Sequence, residues 1–162
     1  MSYTTGIKNY INEEIGILQS LDIEEINNVM HLLEAARNDG RRIYICGNGG
    51  SAATASHYVG DFNKGVSFGL DKRYRFESLG DNIPTMMAIA NDICYEDIFV
   101  EPLKNKMDEG DIVIGISGSG NSENVVRAIE YANAHGGLTI GIVGYDGGKV
   151  KQLAQHSIHV KI

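Results

Sequence analysis

Two short apolar runs in this sequence each stop at a loop of glycine, serine and asparagine, and each loop leads into a helical pattern. Ile43–Cys46 ends in residues 47–51 (GNGGS), and Asp111–Ile116 ends in residues 117–122 (SGSGNS). Successive apolar positions without alternation are typical of strands that are buried on both faces. Strand, loop and helix, repeated in that order, predict a parallel sheet covered by helices on both sides.

The rest of the chain continues this alternation and shows no Pro-rich linker or low-complexity tract that would mark a domain boundary. We predict an α/β fold, a three-layer sandwich with a five-stranded, parallel, doubly wound sheet preceded by two N-terminal helices. Residues 1–162 form a single domain, with a helical pair at 1–40 and an α/β core at 41–162. The predicted strands are 43–46, 74–79, 111–116, 138–143 and 157–162. The predicted helices are 3–19, one from Asp22 to a stop at Gly40, 52–63, 85–91, 97–106, 123–134 and 147–154.

The charge balance excludes two classes of partner. Fourteen Lys and Arg stand against 21 Asp and Glu, for a formal net charge of −7, and the basic residues form no cluster. Nucleic acids and anionic membranes both require a basic patch. No apolar run approaches the roughly 20 residues that span a bilayer. An anionic ligand must therefore be held by local groups.

The sequence predicts a cytoplasmic protein. The first twenty residues contain Glu13 and Glu14 and lack the apolar core of a secretory signal. Cys46 and Cys94 have no C-x-x-C spacing, so neither a disulfide framework nor a zinc knuckle is indicated. We interpret both as structural thiols.

The two loops carry the chemistry that the sequence offers. Each supplies free backbone N–H groups, the positive end of a helix dipole and short polar side chains, which together favour an anion. Parallel strands end at one edge of a sheet, so both loops are expected at the ligand-binding edge. A phosphate group or a sugar oxygen is the natural partner. The alternative is that such loops only turn the chain and cap helices.

Two nucleotide motifs match in part. Residues 47–52 fit G-x-G-x-x-A, but the acid expected about 20 residues later is missing, because Glu77 lies too far along and Asp61 lies within a helix. Gly148-Lys149 resembles the end of a P-loop, although Val143 and Val150 replace its first glycine and its Ser or Thr. No nucleotide is therefore expected, and a dinucleotide-binding protein remains a remote alternative.

His57 and Asp61 stand four residues apart in a predicted helix. Residues at this spacing share one helix face, so the two side chains could grip one cation. Such a pair is also common as a plain surface contact between a histidine and an acid.

Together these motifs resemble the phosphoheptose isomerase branch of the sugar-isomerase (SIS) domain superfamily, over essentially the whole chain. The matching residues are 47–51, His57 with an acid at 61, Asn91-Asp92, 117–122 and Gly147-Gly148-Lys149. The resemblance implies an SIS-type sandwich and a homo-oligomer, tetramer or dimer, with active sites at subunit contacts. It also implies conversion of sedoheptulose 7-phosphate to D-glycero-manno-heptose 7-phosphate, often with zinc.

The resemblance implies a role for each matching residue. The phosphate would be held by Ser117, Gly118, Ser119 and Ser122. The sugar would be lined by Asn48, Gly49, Gly50 and Ser51, and its hydroxyls touched by Asn91 and Asp92. His57 and Asp61 would be metal ligands, and Asp61 takes the place of the catalytic glutamate of the family.

Two departures from the family leave an alternative open. Asp61 is one methylene shorter than the family glutamate, and a displacement of about 1 Å can cost on the order of a hundredfold in rate. The family also has, after the last strand, a helix whose Gln and His complete the site, and no residue here matches either. The alternative is a non-catalytic phosphosugar-binding or regulatory SIS protein. The other histidines are interpreted as structural, with His156 in a turn, His159 on the outward side of a strand, and His31 and His135 on helices.

Overall fold

The computed structural model describes residues 2–162, so Met1 of the predicted helical pair lies outside the described residues. The α-helices are α1 (Thr4–Gln19), α2 (Ile23–Asp39), α3 (Gly50–Gly60), α4 (Ile83–Asp92), α5 (Val100–Lys106), α6 (Glu123–Ala134) and α7 (Gly148–Leu153). The strands are β1 (Ile43–Gly47), β2 (Phe76–Ser78), β3 (Ile112–Ser117), β4 (Leu138–Val143) and β5 (His156–His159). A π-helical turn and a 3-10 turn occupy Asp61–Val66 and Tyr95–Asp97.

The five strands form one parallel sheet in the order β2-β1-β3-β4-β5. This confirms the predicted α/β class and the five parallel strands. After β1 the chain moves outward to β2 and then returns to the other side of β1 to form β3. The gap between the ends of β1 and β3 is therefore the switch point of the sheet, where ligands bind in open α/β folds.

The sheet is buried on both faces because helices cover both. Side chains of β1 alternate, with Ile43 and Ile45 in the core beneath α2 and α3, and Tyr44 and Cys46 in the core beneath α5 and α6. Every residue of β1 and β3 is buried. The continuous apolar runs in the sequence thus reflect burial from two sides.

The second helix begins and ends at the residues that the sequence indicates. The Asp22 carboxylate accepts a hydrogen bond from Glu25 N at 3.0 Å, which caps the start of α2. Gly40 follows Asp39 in the left-handed conformation, with φ of +70°. Three residues of α2 are buried, whereas α1 has none. Apart from the partly buried Ile17, the apolar side chains of α1 are therefore exposed within the described chain.

Several predicted elements have different bounds in the structure. The helix predicted over 52–63 begins at Gly50 and becomes π-helical at Asp61, and the one predicted over 97–106 is a 3-10 turn followed by α5. The strand predicted over 74–79 covers only Phe76–Ser78, and the preceding Tyr74 donates its N–H to Ser67 Oγ at 3.0 Å. The strand predicted over 157–162 is His156–His159.

Within residues 2–162 no helix combines the length and the hydropathy needed to cross a membrane.

Candidate functional site

The two polar loops lie side by side at the carboxyl edge of the sheet. We name them the asparagine loop (residues 47–51) and the serine loop (residues 117–122). Strand β1 pairs with β3 so that Gly47 lies opposite Ile116, and the loops leave the sheet next to each other. The predicted proximity of the loops is therefore present, and they flank the switch point between β1 and β3.

The asparagine loop folds tightly against β3. A Cβ atom on Gly47 would lie 2.7 Å from Ser51 Cβ and 2.9 Å from Ile116 O, so no side chain fits there. Ser51 N–H donates to Asn48 O at 2.9 Å, and α3 begins at Gly50 without a side-chain cap. The start of α3 therefore offers the N–H groups of Gly50 and Ala52 and the positive end of the helix dipole, since the Ser51 N–H is used in the turn.

The serine loop presents hydroxyls at the start of α6. Ser117 is buried and its Oγ lies 3.2 Å from Ser122 Oγ, whereas Ser119 is exposed and accepts a hydrogen bond from Asn121 N at 3.2 Å. Ser122 is the N-cap residue of α6 and makes no side-chain cap bond. Its hydroxyl and the N–H groups of Glu123 and Asn124, the first two of α6, thus remain available to an anion.

A third segment, residues 144–149, braces the serine loop. Three backbone N–H groups of this segment and of α7 donate to it: Gly144 N to Gly118 O (2.9 Å), Lys149 N to Asn121 Oδ1 (3.1 Å) and Val150 N to Gly120 O (2.9 Å). The resemblance pointed to Gly147-Gly148-Lys149, but nothing in the sequence indicates this bracing. It arises because β3 and β4 are neighbours, so the loops that follow them meet.

Two basic side chains form ion pairs with the acidic residue nearest the serine loop. Glu123, the first residue of α6, lies 3.3 Å from Arg127 and 3.7 Å from Lys149. Arg127 also donates to Asp97 at 2.8 Å, and this hydrogen bond lowers the pKa of the Asp97 carboxyl. The repulsion that Glu123 would exert on a bound anion is therefore reduced by ion pairing.

Two residues that sequence reasoning missed contact Asn48. The side-chain amides of Asn48 and Asn124 exchange two hydrogen bonds of 2.9 Å across the gap between the loops. Tyr95 donates its hydroxyl to Asn48 Oδ1, also at 2.9 Å. Asn124 is only 2% exposed, and a buried asparagine on an otherwise apolar helix face is the one signal that could have indicated it.

A cavity of about 250 Å³ lies beneath the asparagine loop. Its polar lining includes Asn48 and Tyr95, and its apolar lining includes Met86, Ile98 and Phe99. A larger cavity of about 580 Å³ lies beside the edge strand β2 and includes neither loop. The smaller cavity is therefore the one in contact with the candidate site.

Asn91 and Asp92 are the last two residues of α4, and both are exposed. Asn91 Nδ2 donates to Asp92 Oδ1 at 2.8 Å, so the two side chains bind each other. In the part of the chain that the structure describes, neither residue lines the cavity beneath the asparagine loop, although Ala90 does. Their role toward a sugar stays a prediction.

His57 on α3 meets Asp61, the first residue of the π-helical turn that follows α3, and both are exposed. His57 Nε2 lies 3.2 Å from Asp61 Oδ2, and the side chains are 79% and 61% exposed. About 10 Å of helix separates Gly50 from His57, so within one chain the pair lies well beyond the asparagine loop. Among residues 2–162, no three His, Cys, Asp or Glu side chains are grouped so that they could hold a metal ion.

Two other histidines join elements at the last strand. His156 begins β5, where a turn was expected, and its Nδ1 lies 3.1 Å from Glu25 Oε1 on α2. His159 Nε2 donates to Tyr145 O at 2.9 Å. His135 stacks on Tyr131.

Both cysteines are free thiols. Burial raises the pKa of the Cys46 thiol to about 12, and burial is also the largest influence raising the pKa of Cys94. A thiol with a raised pKa is a poor nucleophile at neutral pH, which agrees with structural roles for both.

Comparison with known proteins connects this geometry to a family. The SIS domain family matches residues 9–144. The probable phosphoheptose isomerase of Thermoplasma acidophilum is 35% identical over 153 residues, covering 94% of this chain and 84% of the relative. The phosphoheptose isomerase of Helicobacter pylori strain Shi470 is 39% identical over 150 residues, covering 88% and 73%.

Solved structures agree with the sequence relatives. Phosphoheptose isomerase GmhA from Neisseria gonorrhoeae superposes with a TM-score of 0.87 at 26% identity, covering 99% of this chain and 85% of that one. The similarity thus extends through both loops and the whole sheet. This chain belongs to the phosphoheptose isomerase family of SIS-domain proteins.

Proposed function

We propose that this protein is an isomerase that converts sedoheptulose 7-phosphate to D-glycero-manno-heptose 7-phosphate. The observation that carries the proposal is the pairing of the asparagine and serine loops at the switch point of the sheet, in a chain that belongs to the phosphoheptose isomerase family. The relatives named above are phosphoheptose isomerases, and the pair of loops is suited to a ligand that carries a phosphate and several hydroxyls.

The phosphate is assigned to the serine loop. Exposed Ser119, the Ser122 hydroxyl and the first two N–H groups of α6 offer donors to one anion, and each charge-assisted hydrogen bond contributes about 1.5–3 kcal/mol. The sugar then extends along the asparagine loop toward the cavity beneath it. Binding at the phosphate, remote from the reacting carbons, fixes the sugar for proton transfer.

The reaction moves a proton between adjacent carbons. A base removes a proton from the carbon beside the carbonyl, an enediol forms, and an acid returns a proton to the neighbouring carbon. The enediol carries negative charge on oxygen as it forms, which hydrogen-bond donors stabilise. We assign the base to Asp61, which the resemblance matches to the family glutamate. Its exposed position just after α3 agrees with an active site assembled at a subunit contact.

Zinc is only partly supported. Two ligands of one tetrahedral zinc ion lie about 3.3 Å apart at ordinary bond lengths, and His57 and Asp61 are separated by 3.2 Å. Zinc requires three or four protein ligands, however, and residues 2–162 place no third His, Cys, Asp or Glu with this pair. The described residues therefore do not form a complete zinc site, and no step is assigned to the metal.

We also propose that the protein is a homo-oligomer, tetramer or dimer, and is cytoplasmic. Ile7, Ile11, Ile15 and Leu18 form one stripe along α1 and are between 47% and 63% exposed. A 16-residue helix without buried residues is marginally stable in water, so a second copy is the natural cover for this stripe. The free thiols of Cys46 and Cys94 agree with a reducing compartment.

Replacing Ile11 by glutamate is expected to lower the molar mass in solution to that of a smaller assembly or a monomer. A charge in the middle of the stripe is costly to bury at a contact between copies. Light scattering after size-exclusion chromatography measures the mass. Asn12→Glu introduces the same charge on the adjacent, non-stripe position and should leave the assembly unchanged. An unaltered mass for Ile11→Glu contradicts assembly through α1.

Replacing Ser119 by alanine is expected to weaken the binding of sedoheptulose 7-phosphate more than fivefold. The change removes an exposed donor from the serine loop, and one lost charge-assisted hydrogen bond is worth about a factor of ten. Calorimetric titration measures the affinity. Ser20→Ala, at the far end of α1, is the matched control. Equal affinities for the Ser119 variant and the unaltered protein would remove this serine from the site.

The decisive experiment is an isomerase assay with sedoheptulose 7-phosphate, with and without added zinc. Turnover supports the proposal. A second candidate, a non-catalytic phosphosugar-binding or regulatory protein, is favoured by the shorter acid at Asp61 and by the lack of a third metal ligand for this pair among residues 2–162. Tight binding without turnover in either condition would favour that candidate. Absence of both binding and turnover would overturn both.

A further inference from the structure

The orientation of the Asn48 side chain is fixed by its neighbours. Val125 N–H donates to Asn124 Oδ1 at 3.0 Å, which identifies the oxygen of the Asn124 amide. Asn124 therefore presents its oxygen to Asn48 Nδ2 and its nitrogen to Asn48 Oδ1, both at 2.9 Å. The Tyr95 hydroxyl then donates to the same Asn48 oxygen. The amide of Asn48 cannot turn over without breaking three hydrogen bonds.

This arrangement leaves Asn48 with one kind of hydrogen bond to offer. An amide oxygen has two lone pairs, and the donors on Asn124 and Tyr95 occupy both. The amide nitrogen has two hydrogens, of which one is used by Asn124. Asn48 lines the cavity beneath its loop, next to Tyr95. Toward a ligand in that cavity, Asn48 can therefore donate but not accept.

We propose that Tyr95 and Asn124 are positioning residues that hold Asn48 as a hydrogen-bond donor to the carbonyl oxygen of the bound sugar phosphate. This inference rests on the proposed isomerase function. A sugar hydroxyl can pair with either a donor or an acceptor, whereas a carbonyl oxygen, and the enediolate oxygen that follows it, only accepts. A donor whose orientation is fixed before the reaction stabilises that oxygen most as its charge grows.

Tyr95→Phe tests the proposal with little risk to folding, since Tyr95 is 54% exposed and only its hydroxyl is removed. We expect kcat to fall about tenfold with KM changed less than twofold, because the donor acts mainly on the developing charge. Affinity for a phosphorylated hydroxamate that mimics the enediolate should fall by a similar factor, and affinity for inorganic phosphate should not change. Tyr131→Phe, toward the other end of α6, removes a phenolic hydroxyl away from the loops and should leave all four values unchanged.

A second variant replaces the Asn48 donor itself by an acceptor. Asn48→Asp keeps an oxygen for Tyr95 and Asn124 to donate to but replaces the free N–H by an acceptor, so kcat should fall at least a hundredfold while the protein stays folded. In the unaltered protein, the side-chain N–H signal of Asn48 in a proton–nitrogen correlation spectrum should shift on addition of the hydroxamate and not of inorganic phosphate.

The outcomes separate the two proposals. The positioning role alone is overturned by the following result. The unaltered protein is active, Tyr95→Phe has the same kcat, and the Asn48 signal of the unaltered protein does not respond to the hydroxamate. An unaltered protein that neither turns over sedoheptulose 7-phosphate nor binds the hydroxamate overturns the isomerase function and this inference with it. A fall in kcat and hydroxamate affinity confined to the Tyr95 and Asn48 variants supports the inference.

Discussion

Asp61→Asn is expected to lower kcat for sedoheptulose 7-phosphate by about a thousandfold, within the range that general acid–base catalysis contributes. An amide cannot take up the proton that a carboxylate accepts. The side chain of Asp61 is 61% exposed, and among the residues that the structure describes it pairs only with His57, which an amide oxygen can still contact. The fold should therefore survive, and turnover together with thermal unfolding measures both effects.

Two further variants make the Asp61 result specific. Asp61→Glu keeps a carboxylate on the same helix face and restores the side chain that the family resemblance implies, so turnover should be retained. Asp71→Asn removes a carboxylate from an exposed loop and should leave kcat within twofold. Full turnover in Asp61→Asn would show that the base lies elsewhere, and loss of turnover in Asp71→Asn would show that net charge alone is responsible.

The sheet and the position of its ligand edge could be predicted because both depend on local pattern. Ile43–Cys46 and Ile112–Ile116 are apolar at successive positions, and each is followed by glycine, serine and asparagine, which favour turns and helix N-termini. Parallel strands with helices between them leave few arrangements of the chain. The strand order places the ends of β1 and β3 together, so the two loops had to meet.

The contacts that hold the site could not be predicted, because they join side chains far apart in sequence. Asn48 and Asn124 are separated by 76 positions, and the apolar helix face on which Asn124 lies indicates that it is buried but not that it pairs with Asn48. The same is true of the brace between residues 144–149 and the serine loop. Sequence patterns indicate which loops can bind an anion. Whether an individual side chain donates or accepts a hydrogen bond toward a ligand depends on partners that only the fold brings together.

The partners of the edge strand could not be predicted either. Leu79 N–H donates to Ile45 O in β1, so the N–H groups of Tyr74 and Phe76, on the alternate positions of the strand, face away from β1. Side chains of the segment after α3 accept from both, Ser67 Oγ at 3.0 Å and Asn63 Oδ1 at 2.9 Å. Propensity at single residues carries no information about such partners.

Gly120→Ala is expected to lower the free energy of unfolding by about 3 kcal/mol or more, because it combines a strained backbone with overpacking. Gly120 has φ of +65°, and an added Cβ would lie 1.9 Å from Gly147 O, a backbone atom that cannot move without breaking the brace. The same collision should displace the serine loop and abolish phosphate binding. Urea unfolding and calorimetric titration with inorganic phosphate measure the two effects.

Gly40→Ala separates the collision from the backbone strain. Gly40 has nearly the same φ, +70°, but an added Cβ there meets nothing within 4 Å. Its cost should therefore be only the left-handed conformation, about 1 kcal/mol, with phosphate affinity unchanged. Equal destabilisation by the two variants would mean that the serine loop moves to accommodate the added methyl group. Normal phosphate affinity in Gly120→Ala would mean that anion binding does not depend on the contacts of residues 144–149 with the serine loop. A large difference in both measurements would instead tie the geometry of the phosphate site to the packing of Gly120 against Gly147.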